Sequence, residues 1–433
     1  MSTHPTFREA LRFWLKLGFI SFGGPAGQIA VMHRELVEKK RWVEEERFLH
    51  ALNFCMLLPG PEATQLATYC GWLLHGVRGG LAAGVLFVLP GAVALWGLSW
   101  IYVSYGAVPA VAAIFHGLKA AVLAIVLAAV LRVGRKALKH GVAWGIAAAA
   151  FAALAFLRAP FPAVVFGALV VGFFGGKIWP GAFAMKTGHG EKKELKAGGA
   201  DGALGITRPT FGGTARIAGI GGALWCAPVI GAGLTLGWGG LYAQLGWFFS
   251  KAAVVTFGGA YAVLPYVGQQ AVENYHWLSA PQMLDGLAFA ETTPGPLIMV
   301  LQFVGFLAGW QQPGAWSQLG AATLGAAMTT WVTFVPTYLF ILVGAPYVER
   351  LRDNVRLSAA LAAVTAAVVG VILNLAVWFA RHTVWPAGFG GAADWFIVVV
   401  SVAVFAALHF GKTGLGWVVL AGGLAGWAWS LVG

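Results

Sequence analysis

Nine apolar stretches restrict what this chain can fold into more than any other feature. A transmembrane helix needs about 20 consecutive apolar residues. One such stretch could be a buried core helix, but nine require lipid as the surrounding solvent. Only 10% of the residues are charged, whereas soluble proteins have about a quarter. Because only a helix or a closed barrel satisfies its backbone in lipid, we expect an all-α integral membrane protein. The stretches are 79–103, 110–133, 141–157, 160–179, 216–236, 317–345, 357–380, 392–409 and 413–431.

The chain contains two copies of one unit. Aligning 13–61 with 248–296 without a gap gives 14 identities in 49 positions. Further on, Pro90 aligns with Pro336 at a spacing of 246, so the second copy has gained eleven residues in between. Biased composition does not explain a shared Lys, a shared Trp and two shared triplets in one register. The triplets are 235 residues apart: Phe-Gly-Gly at 22–24 and 257–259, and Pro-Gly-Pro at 59–61 and 294–296.

These features divide the chain into four parts. The first transporter repeat is 1–180, and the second is 237–433. Between them, 181–215 is polar and Gly-rich and is predicted to be a cytoplasmic linker. The apolar run 216–236 follows the linker and has no partner in the first copy. If each repeat crosses the membrane an even number of times, this extra helix inverts the second repeat.

Loop charge agrees with an inverted-topology duplication. Cytoplasmic loops carry an excess of Lys and Arg, so inverted copies should exchange their basic loops. They do so in every pair: five Lys/Arg in 34–47 against none in 269–282, none in 104–109 against three in 346–356, and four in 132–140 against only Arg381 in 381–391. This pattern predicts a cytoplasmic N-terminus. It also explains the net charge of +12 without nucleic acid.

Each repeat begins with segments that are too short to span and that end at helix breakers. In the first copy these are 9–22, before Gly23-Gly24-Pro25, and 48–58, before Pro59-Gly60-Pro61. Irregular backbone at membrane depth occurs only where protein or a cavity surrounds it. We therefore expect two broken, re-entrant helix pairs in each repeat, followed by four spanning helices. Two kinked spanning helices are the open alternative.

A new half-helix starts after each break, and its first amides lack intrahelical partners. Such an end carries roughly half a positive charge and readily binds anions. If the four ends converge, they supply on the order of two positive charges, which suits a small dianion. The candidate amides belong to Ala26, Gly27, Gln28, Glu62, Ala63, Thr64, Ala260, Tyr261, Leu297 and Ile298.

Lys16 and Lys251 occupy equivalent positions in the two copies. A lysine inside the bilayer is costly unless it finds a partner or reaches the headgroups. Each is therefore either a cavity residue or a snorkelling anchor. Arg8, Arg12 and Lys16 lie on one helix face, and the second copy keeps only Lys251. An electropositive approach on the cytoplasmic side alone favours export of anions, although ordinary positive-inside anchoring explains it as well.

Glu291 and Glu62 flank the two Pro-Gly-Pro turns and are the candidates for proton coupling. A carboxylate beside an anion site disfavours the anion when ionised and tolerates it when protonated. Glu62 is equally a favourable first-turn acid. Polar Gln28, Asn53, Gln65, Thr292 and Thr293 either donate to an oxyanion or satisfy freed backbone groups. The candidate substrate-binding residues are Lys16, Phe22, Gly23, Gly24, Gln28, Pro59, Gly60, Pro61, Gln65, Lys251, Phe257, Gly258, Gly259, Thr292, Thr293, Pro294, Gly295 and Pro296.

Other classes find little support in the residues. Cys55, Cys70 and Cys226 lack metal-like spacing and are interpreted as packing residues, so no metal or cofactor is expected. The chain has 16 acidic residues and lacks His-Glu-x-x-His and phosphate-loop motifs. We therefore expect neither catalysis nor ATP-driven transport. An integral membrane enzyme and a channel are the weaker alternatives.

Two segments carry a family resemblance. Phe-Trp-Leu-Lys-Leu-Gly-Phe-Ile-Ser-Phe-Gly-Gly-Pro-Ala-Gly-Gln at 13–28 and Leu-Asn-Phe-Cys-Met-Leu-Leu-Pro-Gly-Pro-Glu-Ala at 52–63 resemble the chromate ion transporter family in its long, two-domain form. The resemblance implies a multi-pass protein of the bacterial inner membrane that exports chromate, as an antiporter driven by protons, and gives chromate resistance. Ala260 replaces Pro25 in the second copy, so the halves need not contribute equally.

The residues themselves indicate only a carrier of a small oxyanion. Chromate and sulfate have the same charge and tetrahedral shape, so transport of sulfate or another oxyanion stays open. The expected partners are the oxyanion, protons and the lipid bilayer. A homodimer is left open, because an inverted repeat can form a complete pathway within one chain.

Overall fold

Helices make up all the regular secondary structure of the residues that the computed structural model describes, which are 4–22, 24–178, 211–347, 355–411 and 413–431. The first repeat contains α1 (Phe7–Ile20), α2 (Gly24–His33, continued by a π-helical turn Arg34–Lys39), α3 (Glu45–Cys55), α4 (Glu62–Tyr105), α5 (Pro109–Ala137), α6 (Gly141–Ala155) and α7 (Phe161–Ile178). A connecting helix, α8, is Phe211–Leu236. The second repeat contains α9 (Leu241–Val255), α10 (Ala260–Gln269, continued by a π-helical turn Gln270–Asn274), α11 (Ala280–Thr292), a 3₁₀ turn Leu297–Met299, α12 (Val300–Gln311), α13 (Gln318–Gly344), a 3₁₀ turn Ala345–Tyr347, α14 (Val355–Val384), α15 (Trp395–His409) and α16 (Leu415–Trp429).

Six of these helices, α4, α5, α7, α8, α13 and α14, are long and apolar enough to cross a membrane. The protein is therefore an all-α integral membrane protein, as the apolar stretches predicted. Helices α6, α15 and α16 have 15 residues each, which is about 22 Å of helix. They are shorter than the spans expected at 141–157, 392–409 and 413–431.

The connecting helix begins earlier than predicted. Residues 211–215 belong to α8 and not to the predicted linker 181–215. The remainder of the linker, Gly23, and Arg350 and Arg352 of the basic loop 346–356 lie outside the described residues.

Capping signals explain where several helices start. Thr6 caps α1 in a reciprocal pair with Glu9, and Ser279 caps α11 in the same way with Gln282. Pro109 begins α5, where its missing N–H costs nothing. These local signals set the starts of the helices but do not decide where the chain turns after a break.

The first broken pair of each repeat is a hairpin. After α2, the chain returns beside α1, where the Trp42 ring lies 5.1 Å from the Phe13 ring. The equivalent rings of the second copy, Trp277 and Phe248, lie 5.6 Å apart. Two kinked spanning helices would carry these rings to opposite ends of the pair. Each pair therefore folds back on itself in the re-entrant manner, which contradicts the kinked alternative.

The second broken pair also folds back. Phe54 of α3 packs on Tyr69 of α4, with ring centroids 5.8 Å apart. In the second copy, Phe289 of α11 packs on Phe303 of α12 at 5.7 Å. The helix after each Pro-Gly-Pro turn thus lies beside the helix before it.

Each half-helix then reverses into a long helix. In α4, the non-helical residues His75 and Gly76 separate a first arm, 62–74, from a second arm, 77–105. Gly71 lies against Gly79 across this turn, so the arms run antiparallel. The second copy makes the same reversal between α12 and α13, through the longer connection 312–317. The eleven extra residues lie in this connection and in the helix ends beside it.

Equivalent helices of the two repeats meet at the centre. The second arm of α4 packs on α13 with Gly84 against Tyr338. One turn earlier, Gly80 lies against Leu342. As residue numbers rise along α4 they fall along α13, so the two helices run antiparallel.

The repeats also exchange partners at the periphery. Helix α5 of the first repeat packs against α15 and α16 of the second, and α14 of the second packs against α6 and α7 of the first. Small residues allow the close approach, as where Gly117 meets Gly422 and Gly426. The two repeats therefore form one interlocked unit with the broken segments near its centre.

Candidate functional site

Two backbone hydrogen bonds join the four breaks in two pairs. The N–H of Gly60, in the first Pro-Gly-Pro turn, donates to the carbonyl oxygen of Thr256 at 2.7 Å. The N–H of Gly295, in the second turn, donates to the carbonyl oxygen of Ser21 at 2.9 Å. Gly60 is equivalent to Gly295, and Ser21 to Thr256. The same bond therefore forms twice, each time between the two copies.

Glycine is required in both turns. Gly60 has φ +128° and Gly295 has φ +99°, and side chains disfavour such values. The long helices α4 and α13 also lie in close contact with the turns. A Cβ atom on Gly91 would overlap the carbonyl oxygen of Pro294, and one on Gly60 would lie 3.1 Å from the Thr337 hydroxyl. Gly91 and Thr337 directly follow the aligned Pro90 and Pro336.

Both predicted carboxylates lie at this junction. Glu291 is buried, and its Oε1 accepts a hydrogen bond from the Tyr261 hydroxyl at 2.5 Å. Glu62 is partly buried at the start of α4, and a Cβ on Gly259 would lie 3.6 Å from its Oε1. A Cβ on Gly24 would lie 3.8 Å from the Tyr261 hydroxyl. The four breaks and the two carboxylates therefore form a single group, which we call the break cluster.

The break cluster contains buried polar atoms that have no hydrogen-bond partner. Most buried polar groups in proteins are hydrogen-bonded, so unpaired ones require an explanation. Of eight such side-chain atoms among the described residues, five lie at the breaks. Their concentration in one place is what a binding site for a polar ligand requires. They are Ser21 Oγ, Gln28 Oε1, Thr64 Oγ1, Gln65 Oε1 and Glu291 Oε2.

The predicted glutamines take part in holding the turns. Gln28 Nε2 donates to the carbonyl oxygen of Gly295, which lies in the other copy. Gln65 Nε2 donates to the carbonyl oxygen of Pro59 at 2.8 Å. These amides satisfy freed backbone groups, the second of the two roles considered for them, while their carbonyl oxygens stay unpaired.

The hydroxyls of Thr292 and Thr293 also bond to backbone, donating to carbonyl oxygens of α11 at 2.8 Å. Asn53 is exposed on α3. Of the two phenylalanines before the glycine pairs, Phe22 is exposed and Phe257 is partly buried. Gly258 and Gly259 have φ of +77° and +92°, so they make the turn that starts α10.

Lys16 and Lys251 both lie on the protein surface. The Lys251 Nζ is 5.8 Å from the centre of the Trp247 ring, and Trp247 is itself largely exposed. This contact is one that a headgroup anchor makes. Lys16 is close enough to interact electrostatically with Glu35 in the connector after α2. The pKa of Glu35 is lowered mainly by a 2.7 Å hydrogen bond from Lys39.

Sequence reasoning missed two cations beside the break cluster. Arg132 of α5 contributes a positive electrostatic potential at Glu291 and Tyr261, and Lys136, one turn further, does so at Glu62. Both cations are exposed and form no ion pair with these groups. Both had been interpreted only as basic loop residues, since the loop count does not show which way they face. Their spacing of four residues, which places them on one helix face, was the available signal.

The pairing of Ser21 and Thr256 also had a signal in the sequence. Each directly precedes a Phe-Gly-Gly triplet, so a hydroxyl residue recurs at this point in both copies. The role of their carbonyl oxygens could not be inferred, because the bonding partner lies in the other repeat.

Broken helices that meet inside a membrane bundle, with unpaired polar groups and backbone amides at the junction, define a transport protein for a small polar solute. Comparison with known sequences gives the family. The chromate transporter family profile matches residues 8–173 and 243–427. The chain therefore belongs to the chromate transporter family.

Similar proteins of this kind occur in several bacteria. The chromate transport protein of Pseudomonas aeruginosa is 33% identical over 96% of this chain and 90% of its own length. That of Cupriavidus metallidurans is 29% identical over 88% of this chain and 85% of its own length. The probable chromate transport protein of Synechococcus elongatus is 27% identical over 88% and 87%. No solved structure is significantly similar to the chain.

Proposed function

We propose that the protein is a secondary active transporter that exports chromate across the bacterial inner membrane, coupled to protons, and thereby gives chromate resistance. The observation that carries this proposal is the break cluster, where four half-helix starts meet the unpaired buried hydroxyls of Ser21 and Thr64 beside the buried carboxyl group of Glu291. The names of the relatives supply chromate as the substrate. Sulfate is the alternative, because the two dianions share charge and shape.

The anion is bound mainly by backbone in this proposal. The half-helices begin at Gly24, Glu62, Ala260 and Leu297, and their first amides have no intrahelical partner. Backbone amides at helix starts bind oxyanions without placing a lysine in the membrane interior. The surface positions of Lys16 and Lys251 agree with such a site.

The two repeats have opposite orientations in the membrane, with the N-terminus in the cytoplasm. Two observations support this orientation. The antiparallel packing of α4 on α13, which are equivalent helices, is what inversion of one repeat produces. The exchange of basic loops between the copies agrees with it. Arg132 and Lys136 then lie on the cytoplasmic side, where they attract anions from inside.

Flux measurements in everted membrane vesicles test the proposal. We expect saturable chromate uptake that increases when a proton gradient is imposed, and weaker uptake of sulfate. Stronger sulfate uptake would assign the other oxyanion as substrate. Gradient-independent chromate uptake would contradict proton coupling, and conduction that does not saturate would indicate a channel.

Neutralising Arg132 is expected to weaken the anion's approach from the cytoplasmic side. In everted vesicles, Arg132→Gln should raise the KM for chromate on the order of tenfold, since fields of this kind change substrate capture by 10-fold or more. Arg135→Gln is the matched control. Arg135 lies on the same helix but contacts His409 at 3.3 Å and not the carboxylates. Equal KM values in the two variants would exclude a role for Arg132.

A further inference from the structure

A polar cavity lies apart from the break cluster. Its volume is about 360 Å³, and it lies between α4, α5, α11 and α12. It is near the connection 106–108 and the end of α12, and therefore on the side of the protein opposite to the N-terminus. The polar side chains that line it are Tyr102, Lys119, Gln282, Asp285, Trp310 and Gln311.

An ion pair occupies the inner wall of this cavity. Lys119 Nζ lies 3.6 Å from Asp285 Oδ1, too far for a hydrogen bond. The Tyr102 hydroxyl donates to Asp285 Oδ2 at 2.9 Å. Asp285 is buried, and its Oδ1 has no hydrogen-bond partner. The Asp285 carboxylate thus balances the charge of Lys119 without forming a hydrogen bond to it.

The cavity is rich in hydrogen-bond donors. The Gln282 carbonyl oxygen accepts from the Ser279 N–H, which leaves its amide nitrogen as the free end. Lys119, Trp310 and Gln311 add further donors. Asp285 is the sole anionic group among the lining residues. Such a set of hydrogen-bond donors suits an anion. The Asp285 carboxylate occupies the anion's place when no anion is bound.

Helices α11 and α5 both extend from this cavity to the break cluster. Helix α11 carries Asp285 and, six residues later, Glu291, which corresponds to about 9 Å along the helix. Each carboxylate accepts a hydrogen bond from a tyrosine. Asp285 also forms an ion pair with Lys119 of α5, whereas Arg132 of the same helix acts on Glu291 without forming an ion pair. A buried carboxyl group bonded to a tyrosine therefore occurs twice along α11.

We propose that this cavity is a second binding station for the transported oxyanion, in which the anion replaces the Asp285 carboxylate on Lys119. A proton binds to Asp285 as the anion arrives, so that Lys119 faces one anionic partner at a time. The substrate class rests on the proposed function. His50 of the first copy and Thr365 of the second copy occupy the positions equivalent to Asp285 and Lys119, so this station belongs to one side of the protein only.

Few other ionisable groups bear on Asp285. Among the helices packed against α11, α5 presents Lys119 and α4 presents Tyr102. His116, one turn before Lys119 on α5, interacts with Lys119 and pairs with Asp394 at 3.1 Å. Helices α12 and α16 carry no ionisable side chain. Those of α14 lie near its ends, at Arg356, Arg381 and His382. Glu291 is the remaining acid of α11 in the interior.

Flux measured from both sides tests the station. Lys119→Gln should raise the KM for chromate on the order of tenfold in right-side-out vesicles, the loss expected for one hydrogen bond to a charged group. The KM in everted vesicles should stay as in the wild type. Asp285→Asn should lower the KM on the affected side and flatten its dependence on external pH. Sulfate is measured in parallel as a second tetrahedral dianion.

A purely structural ion pair predicts a different result. Removing one partner of a buried pair leaves an unpaired charge, whereas removing both does not. A structural role would therefore impair both single variants from both sides and be rescued in Lys119→Gln/Asp285→Asn. Rescue of that kind, or wild-type KM values in Lys119→Gln, would overturn the proposal.

A binding measurement distinguishes failure of this inference from failure of the proposed function. If wild-type vesicles transport neither anion, the proposed function fails. Binding of radiolabelled chromate and sulfate to the purified full-length protein in lipid nanodiscs then tests the station directly. Weaker binding of either anion by Lys119→Gln than by wild type supports the station, and equal binding of both contradicts it.

Discussion

Gly91→Val is expected to reduce chromate flux by roughly tenfold or more, since overpacking of this kind costs about 1–3 kcal/mol. Gly91 lies on α4 against the second Pro-Gly-Pro turn, and a Cβ atom there would overlap the carbonyl oxygen of Pro294. The turn cannot retreat easily, because the Gly295 N–H is bonded to Ser21 and its carbonyl oxygen to Gln28. The valine therefore displaces the turn and distorts the break cluster. Vesicle flux, normalised to the amount of protein in the membrane, measures the effect.

Gly97→Val is the matched control. Gly97 lies six residues further along α4, and a Cβ atom at this position meets nothing within 4 Å. The two variants make the same substitution on the same helix and differ only in what the new side chain contacts. Equal flux in Gly91→Val and Gly97→Val would show that the contact with Pro294 does not matter for transport.

Glu291→Gln should remove the response of chromate flux to an imposed proton gradient, while flux down a chromate gradient continues. Glu291 is buried, with one carboxylate oxygen bonded to Tyr261 and the other unpaired. The amide keeps the shape of the side chain but cannot exchange a proton. The gradient-driven component should fall by about tenfold or more, the usual range of coupling between two ligands.

Glu46→Gln provides the control for the loss of one negative charge, because Glu46 is exposed in the first turn of α3. The gradient response of this variant should equal that of the wild type. A Glu291→Gln protein that still responds fully to the gradient would move proton coupling to another residue. Glu62 of the break cluster and Asp285 of the polar cavity are the next carboxylates to test.

Much of the architecture could be predicted from the residues. The apolar stretches imply helices in lipid, because lipid cannot bond to the backbone. The repeated triplets locate the breaks, since glycine and proline disrupt helices in any environment. The direction of the chain after each break remained open between hairpins and kinked spans. Rings far apart in the sequence, such as Phe13 and Trp42, decided it by their contact.

The candidate site could be predicted less completely. Glu62 and Glu291 were found because they adjoin the Pro-Gly-Pro turns, but Tyr261 was considered only for its backbone amide. Arg132 and Lys136 were counted as loop charges. The pair of Lys119 and Asp285 could not be found at all, since 166 residues separate its members and neither adjoins a motif.

The sequence by itself determined that the helices lie in lipid, that the chain is duplicated and where the breaks are, because these depend on the chemistry of each segment. Only the tertiary structure decided which groups face each other. The Gly60 and Gly295 amides bond to Thr256 and Ser21 because the repeats pack with α4 antiparallel to α13. The partner of each turn is therefore supplied by the other copy, a relation that spacing along one chain does not contain.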